Sequence, residues 1–335
     1  MAGLYEADIV SKKLDKADAI IRAYDNQAHF LATVKRGKPL KDVMAMWTVD
    51  ELGDPVNPAT AEGADATGTP SHHAQIPVYG RAEIFRSERW MVTRTAEAVE
   101  ATDVTDEVVR QRMKKEETFL LSIERALLSF QEAVASGTRK TRGLMQWANS
   151  SAQNVDPVNS ALRPTSAMRH TTALDALTET VFKNMLGAAR DQLRQKPVLV
   201  GKVGWRLKSH MTAWGKVLDL GDAEAALQRY NVNAAEKKLM SMIDFFEFDT
   251  GSVRTMISDY LACDTTTLAE TDYTPRSGIF YMPDRVSMRW LRPIEHYEQD
   301  DEGGGRRGYY EGEGMLQVDS PQGFLTVYTD SDTTE

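Results

Sequence analysis

The sequence predicts an α+β protein, and three features carry that reading: one long amphipathic helix, several short strand-like segments joined by turn residues, and a Pro- and Gly-rich stretch that can form neither. At the start of the chain Ile9, Val10, Leu14, Ala17, Ile20, Ile21, Tyr24 and Ala28 recur at spacings of three and four, as on one face of a helix. From Tyr5 to Leu31 they read as an amphipathic arm, which Lys38-Pro39 ends. Trp47 to Leu52 is a short half-apolar segment. Residues 53–77 then hold Pro55, Pro58, Pro70 and Pro77 with Gly53, Gly63 and Gly68, and no packed element survives that punctuation. A connection of more than about 15 residues without structure is uncommon inside a compact domain, so this stretch either lacks a fixed fold or packs on another molecule.

Val78 to Thr95 alternates through Ile84, Phe85, Trp90 and Val92 and predicts one strand or two. The clearest element follows. Val109, Met113, Glu116, Leu120, Ile123, Leu127, Phe130 and Val134 step by four and three, an apolar seam with only Glu116 polar. The helix should start near Thr105, with Asp106 and Glu107 favourable in its first turn, and stop at Gly137, a residue suited to a left-handed cap. At about 1.5 Å per residue, roughly 32 residues give about 48 Å, the length of a strut. The same seam would suit a coiled-coil dimer, but it runs for only about four heptads and lacks complementary flanking charges. Beyond Thr138-Arg-Lys-Thr-Arg-Gly143 and a Ser- and Asn-rich linker, a second amphipathic helix is expected over Thr172–Arg194, with Pro197 after it. Val198–Val203 should be a short buried strand and Trp205–Trp214 another helix. Ile243–Tyr260 reads as a strand pair around the turn Asp249-Thr250-Gly251. A further β region spans Ile279–Ile294, and Tyr309–Val318 with Phe324–Tyr328 completes it behind a Gly-rich tip at 299–308.

Composition narrows the function. With 40 Lys plus Arg against 49 Asp plus Glu, the formal charge is -9, which disfavours a protein whose main work is gripping nucleic acid. Cys263 is the single cysteine, so neither an intrachain disulfide nor a thiolate metal cluster can form. No stretch approaches the roughly 20 apolar residues of a membrane helix, and synthesis in a reducing cytoplasm is expected. The 335 residues allow about two domains.

Motifs for chemistry are sparse. Asp249-Thr250-Gly251 resembles the loop of aspartic proteases, but that chemistry needs two carboxylates sharing a proton and the chain has no second copy, so a hairpin turn is the expectation and a hydrolase the alternative. Gly303 to Gly308 leads into strand-like Tyr309 and Tyr310 rather than a helix, the wrong setting for a phosphate loop. His72 and His73 are adjacent in an extended stretch, point apart, and have no carboxylate at metal-site spacing. The basic clusters Lys35-Arg36 with Lys38 and Lys41, Arg110 with Arg112, Lys114 and Lys115, and Arg139-Lys140 with Arg142 predict a solvated face or a weak, salt-sensitive nucleic-acid contact. A partner- or nucleic-acid-binding module is therefore a second alternative. No catalytic residue, cofactor or metal is expected.

Weak landmarks recur in a telling order. They are Trp47-x-x-Asp50-x-Leu52 with Glu62-Gly63, then Glu83-Ile-Phe-Arg86 with Thr95-Ala-Glu-Ala-Val99, Glu124 within the long helix, Thr138-Arg-Lys-Thr-Arg-Gly-Leu144, Asp249-Thr-Gly251 and Met288-Arg-Trp-Leu-Arg-Pro293. From Trp47 onward the chain thereby resembles the major capsid proteins of tailed bacteriophages, the Hong Kong 97 fold. The resemblance implies an N-terminal arm (1–46), an extended loop region (47–96), a peripheral domain (97–142 and 284–335) built on the long spine helix, and an axial domain (143–283). It implies a structural protein that assembles with itself into hexamers and pentamers of an icosahedral head around double-stranded DNA. Portal and separate scaffolding or cement proteins are the implied partners, with only weak contact to the DNA and none to membrane, and the virion is the implied location. The 53–77 stretch would then lie over a neighbouring subunit, bringing Trp47, His72 and His73 to inter-subunit contacts. The tip at 303–308 would reach a local three-fold contact, where Asp300, Asp301, Arg306 and Arg307 would pair across subunits. Gly303 to Arg307 replaces the family's usual tip, so no covalent cross-linking residue is carried over.

Overall fold

The computed structural model describes residues 29–50, 59, 61–62, 75–98, 106–151, 153–214, 231–233, 238–240, 244–261, 274–300 and 304–329. In chain order the first elements are helix α1 (His29–Thr33), strands β1 (Lys35–Arg36), β2 (Met44–Val49), β3 (Ile76–Arg81), β4 (Glu83–Arg86) and β5 (Trp90–Thr93), and helices α2 (Arg94–Ala98), α3 (Glu107–Leu127) and α4 (Leu144–Trp147). Then come β6 (Arg169–His170), α5 (Glu179–Leu193), β7 (Val198–Val203), α6 (Trp205–Ala213), β8 (Asn231–Asn233), β9 (Lys238–Met240), β10 (Phe245–Glu247) and β11 (Ser252–Ile257). The last are β12 (Gly278–Tyr281), β13 (Val286–Gln299), β14 (Gly305–Val318) and β15 (Leu325–Val327). The mixture of helix and sheet is the α+β class that the sequence predicts.

The chain divides into two compact units. The described residues of the smaller belong to Arg86–Leu121 and Glu295–Glu311, those of the larger to Ala28–Phe85, Ser122–Ile294 and Gly312–Glu335. In the larger unit a six-stranded sheet runs in the order β10-β11-β7-β12-β15-β6. β7 and β11 pair in parallel from Val198 opposite Ser252 to Val203 opposite Ile257, and β12 lies antiparallel on the other side of β7. Helix α5 covers this sheet because Phe182, Met185, Leu186 and Ala189, at helical spacing, are all buried, with the Phe182 ring 5.2 Å from that of Phe280 on β12. Thr178 caps α5 by accepting the Val181 N–H at 3.3 Å, and Arg194 ends it at φ 55°. Elsewhere in this unit β2 and β3 form an antiparallel hairpin from Met44 opposite Arg81 to Val49 opposite Ile76. β1 pairs in parallel with the start of β13.

Helix α3 corrects one expectation. The carboxylate of Asp106 caps it by accepting the N–H groups of Val108 (2.9 Å) and Val109 (3.2 Å), but it stops at Leu127, not Gly137, and is about 32 Å long. The chain leaves the helix because other partners take its groups. The Ser129 hydroxyl donates to the Ala126 carbonyl (2.8 Å) and accepts the Gln131 N–H (3.0 Å). The Gln131 carbonyl then accepts from Gly143, and the Val134 N–H donates to Lys140. Gly137 does adopt the left-handed conformation, at φ 73°, but between Val134 and Lys140, which form an isolated bridge. Nor is the seam buried throughout. Of its members Ile123 and Leu127 are buried, with off-seam Phe119 and Ala126 beside them, whereas Val109 is 46% and Met113 58% exposed. In the smaller unit β5 pairs antiparallel with the start of β14, Trp90 opposite Gly308 and Thr93 opposite Gly305. No helix among the described residues is long and apolar enough to cross a membrane.

Candidate assembly surfaces

The sequence-derived site residues fall into three groups. His72, His73 and Asp301 lie outside the described residues. Trp47 points into its own subunit: its indole N–H donates to the Asp319 carbonyl at 3.0 Å, and its ring lies 6.1 Å from that of Trp147. Strand alternation then puts Met44 and Met46 on the opposite, solvent-facing side, Met46 at 60% exposure. At the β13–β14 tip, the Arg307 Nε donates to the Asp300 carbonyl at 2.9 Å, and the Arg306 guanidinium stands 3.6 Å from the Glu97 carboxylate. The Arg306 side chain keeps 68% exposure, so this weak pair leaves its charge largely in solvent.

Asp249-Thr250-Gly251 forms the turn between β10 and β11, closed by the Phe248 N–H on the Gly251 carbonyl at 2.8 Å. The exposed Asp249 carboxylate accepts its neighbour's Thr250 N–H at 3.0 Å, the role of a turn residue. Among the described residues no cluster of three or more His, Cys, Asp or Glu could hold a metal ion.

Four members of the basic clusters, Lys35, Arg110, Lys115 and Arg139, pair with carboxylates within the subunit. Arg110 grips Glu107 through both Nε (2.7 Å) and Nη2 (2.5 Å), and this pairing, with the Gln111 amide, holds the Glu107 carboxyl down to about 2. Lys115 meets Glu88 at 2.7 Å, and Lys35 pairs with Asp284. Arg139 and Arg292 reach the buried Glu313 at 2.8 and 3.1 Å. Arg142 is buried: it lies 4.5 Å over the Trp147 ring and donates to the carbonyls of Val155 (2.6 Å) and Asp156 (2.9 Å), and burial pushes its guanidinium down to about 10.

Glu124, a landmark of the motif order, proves to be a buried polar anchor, a role the sequence did not mark. Glu124 on α3 is 1% exposed, and its Oε2 accepts the backbone N–H groups of Phe30 (3.0 Å) and Leu31 (3.3 Å), fixing the start of α1. Burial pushes its carboxyl up, against the pull of those donors and of Lys202, itself fully buried and pushed down by burial. Glu124 sits off the seam, so periodicity gave no sign that an acid would be interior while Glu116, on the seam, is exposed.

Several large apolar side chains among the described residues are exposed. Met46 on β2, Met91 on β5, Met113 on α3 and Phe245 on β10 are each more than half exposed. Large side chains of this kind are enriched where proteins meet.

A family model described as SU10 major capsid protein matches residues 5–330. No match appears among curated proteins. Among solved structures, the chain is similar to the capsid asymmetric unit of cyanophage A-1(L), with 12% identity, TM-score 0.65, and coverage of 98% of this chain and 100% of the other. It is similar to the capsid of a native GTA particle at 8% identity and TM-score 0.63, covering 97% and 98%. The capsid structure of cyanophage P-SCSP1u matches at 12% identity and TM-score 0.61, covering 98% and 96%. At such identities these likenesses establish the fold, the Hong Kong 97-like capsid fold that the motif order implies.

Proposed function

Because this chain belongs to the SU10 major capsid protein family, a structural component of the virion, we propose that its copies build hexamers and pentamers of an icosahedral head enclosing double-stranded DNA. In this reading residues 97–142 with 284–335 form the peripheral domain, residues 143–283 the axial domain, and 47–96 the loop region that reaches a neighbour. Many modest contacts, repeated by symmetry, hold such a shell together without any single strong one. The observation that carries the proposal is the set of half-exposed apolar side chains on β2, β5, α3 and β10, each of which a second copy would cover. Of the residues expected at contacts, the exposed Arg306 is the best placed to pair across subunits. On β2 the contact would be made by Met44 and Met46, since Trp47 is engaged internally. Assembly of this kind needs no catalysis or cofactor. Portal and separate scaffolding or cement proteins, weak contact with packaged DNA and synthesis in the host cytoplasm complete the reading.

Electron microscopy and sedimentation of the expressed chain test it. Rings, sheets or closed shells are expected as concentration rises. A chain that stays monomeric at every concentration and salt tried would sink the proposal.

A further inference from the structure

The smaller unit contains a packed imidazole that assembly alone does not require. Trp90 is buried at 3% exposure and its indole N–H donates to His296 Nε2 at 3.1 Å, with ring planes 20° apart and centroids 5.6 Å apart. An indole nitrogen can only donate, so Nε2 must carry the lone pair and the ring proton must sit on Nδ1. Tyr310 packs edge-on against the same imidazole at 5.1 Å. Its hydroxyl lies 3.2 Å from the Glu116 carboxylate, and the Arg112 Nε donates to it at 3.4 Å. Gly308, opposite Trp90 in the strand register, brings β14 directly against the pair: a Cβ there would stand 2.8 Å from His296 Nε2 and 3.1 Å from the indole. The charged and titratable groups facing the ring are therefore Arg112 and Glu116 from α3, Tyr310 from β14 and Glu298 from β13, with the neutral Trp90 from β5.

We propose that His296 is a pH-sensitive clasp in this unit: neutral, it holds Trp90 and so β5 against β14; protonated, it releases the indole and loosens that strand pair. An imidazolium presents N–H where the indole also presents N–H, so the hydrogen bond cannot survive protonation. Burial, and then Arg112, keep the imidazole below its ordinary value, against the opposite pull of Glu298 and Glu116. A depressed folded-state value means that the clasp contributes fully above the unfolded value of about 6.5 and is lost as pH falls through the folded one.

Tryptophan emission of the full chain tests this, with Trp90→Phe as the reference that isolates the Trp90 signal from the other five tryptophans. The difference emission should be lost in one titration with its midpoint below about 6.5. His296→Gln, whose amide oxygen still accepts the indole N–H, should abolish that titration. A Trp90 signal flat from neutral to acid pH, or one that titrates unchanged in His296→Gln, overturns the proposal. Hydrogen exchange of the unmutated chain decides independently should a variant fail to fold. Backbone amides of residues 90–93 and 305–308 should lose protection on acidification, after correction for the intrinsic pH dependence, and unchanged protection there overturns the clasp.

Discussion

From Glu107 to Glu117 helix α3 is mostly exposed and laced with ion pairs, whereas from Phe119 to Leu127 it is largely buried, and one carboxylate in each half shifts in the opposite direction. Glu107 is held down to about 2 by Arg110 and Gln111, while Glu124 is pushed up by burial despite two backbone donors. The difference teaches that a partner in solvent and a partner in the interior are not equivalent. At Glu107 little desolvation opposes the guanidinium, and at Glu124 the loss of water outweighs the hydrogen bonds received. Stability should follow with opposite slopes. Glu107 favours the fold above the ordinary carboxylate range and loses that contribution as pH falls through about 2. Protonated Glu124 favours the fold at low pH, and its contribution is lost as pH rises from the ordinary range through the raised value.

The largest effect that breaks this contrast is expected at Glu124. Glu124→Ala strands the N–H groups of Phe30 and Leu31 in the interior, a loss of about 1–3 kcal/mol for each donor left unpaired, read in urea unfolding of the unassembled chain. Glu124→Gln keeps an acceptor, should cost less, and should erase the acid-range slope expected of the unmutated chain. An unchanged slope in Glu124→Gln would assign it to another group. Leu127→Ala, at the fully buried end of the helix, should cost about 3 kcal/mol in the same measurement, whereas an equivalent truncation at Val109 should be nearly silent.

How far the sequence carried can be read from these same residues. Strand β7 and the turn at Asp249 lie where local pattern puts them, and α5 falls inside its expected span, because each is decided by neighbours in sequence: alternation and apolar run, turn chemistry, a Thr cap and a following Pro. The order of weak motifs was enough for the family. The end of α3 was not legible, since it is set by Ser129 and by pairing of residues 131 and 134 with 143 and 140. The phase of its burial was not legible either. The seam marked Val109 and Met113 as interior and missed Glu124, whose partners Phe30 and Leu31 are more than 90 positions away. On β2 alternation separates Trp47 from Met46 but cannot say which faces inward, a choice made by Trp147 and Asp319. Contacts between subunits were legible only as an expectation, because a sequence marks apolar residues without saying which copy covers them.

A smaller effect sharpens the contrast at the solvent end of α3. Asp106→Ala removes the acceptor for Val108 and Val109 and should cost about 1 kcal/mol, read as a modest fall in the urea midpoint with an unchanged slope.

The smallest effect on the fold should come from Met113, and it separates stability from assembly. Its side chain is 58% exposed, so replacement by Asp removes little buried area and should change unfolding of the isolated chain by no more than about 0.5 kcal/mol. If a second copy covers this part of the helix, the new carboxylate must be desolvated at every copy of the contact, and repetition by symmetry multiplies a modest penalty. Met113→Asp is therefore expected to leave a normally folded chain with a much reduced yield of particles by sedimentation and electron microscopy, while Met113→Leu assembles as before. Equal particle yields from both variants would show that this stretch of α3 faces solvent in the shell as well, and would leave β2, β5 and β10 as the surfaces on which neighbouring copies meet.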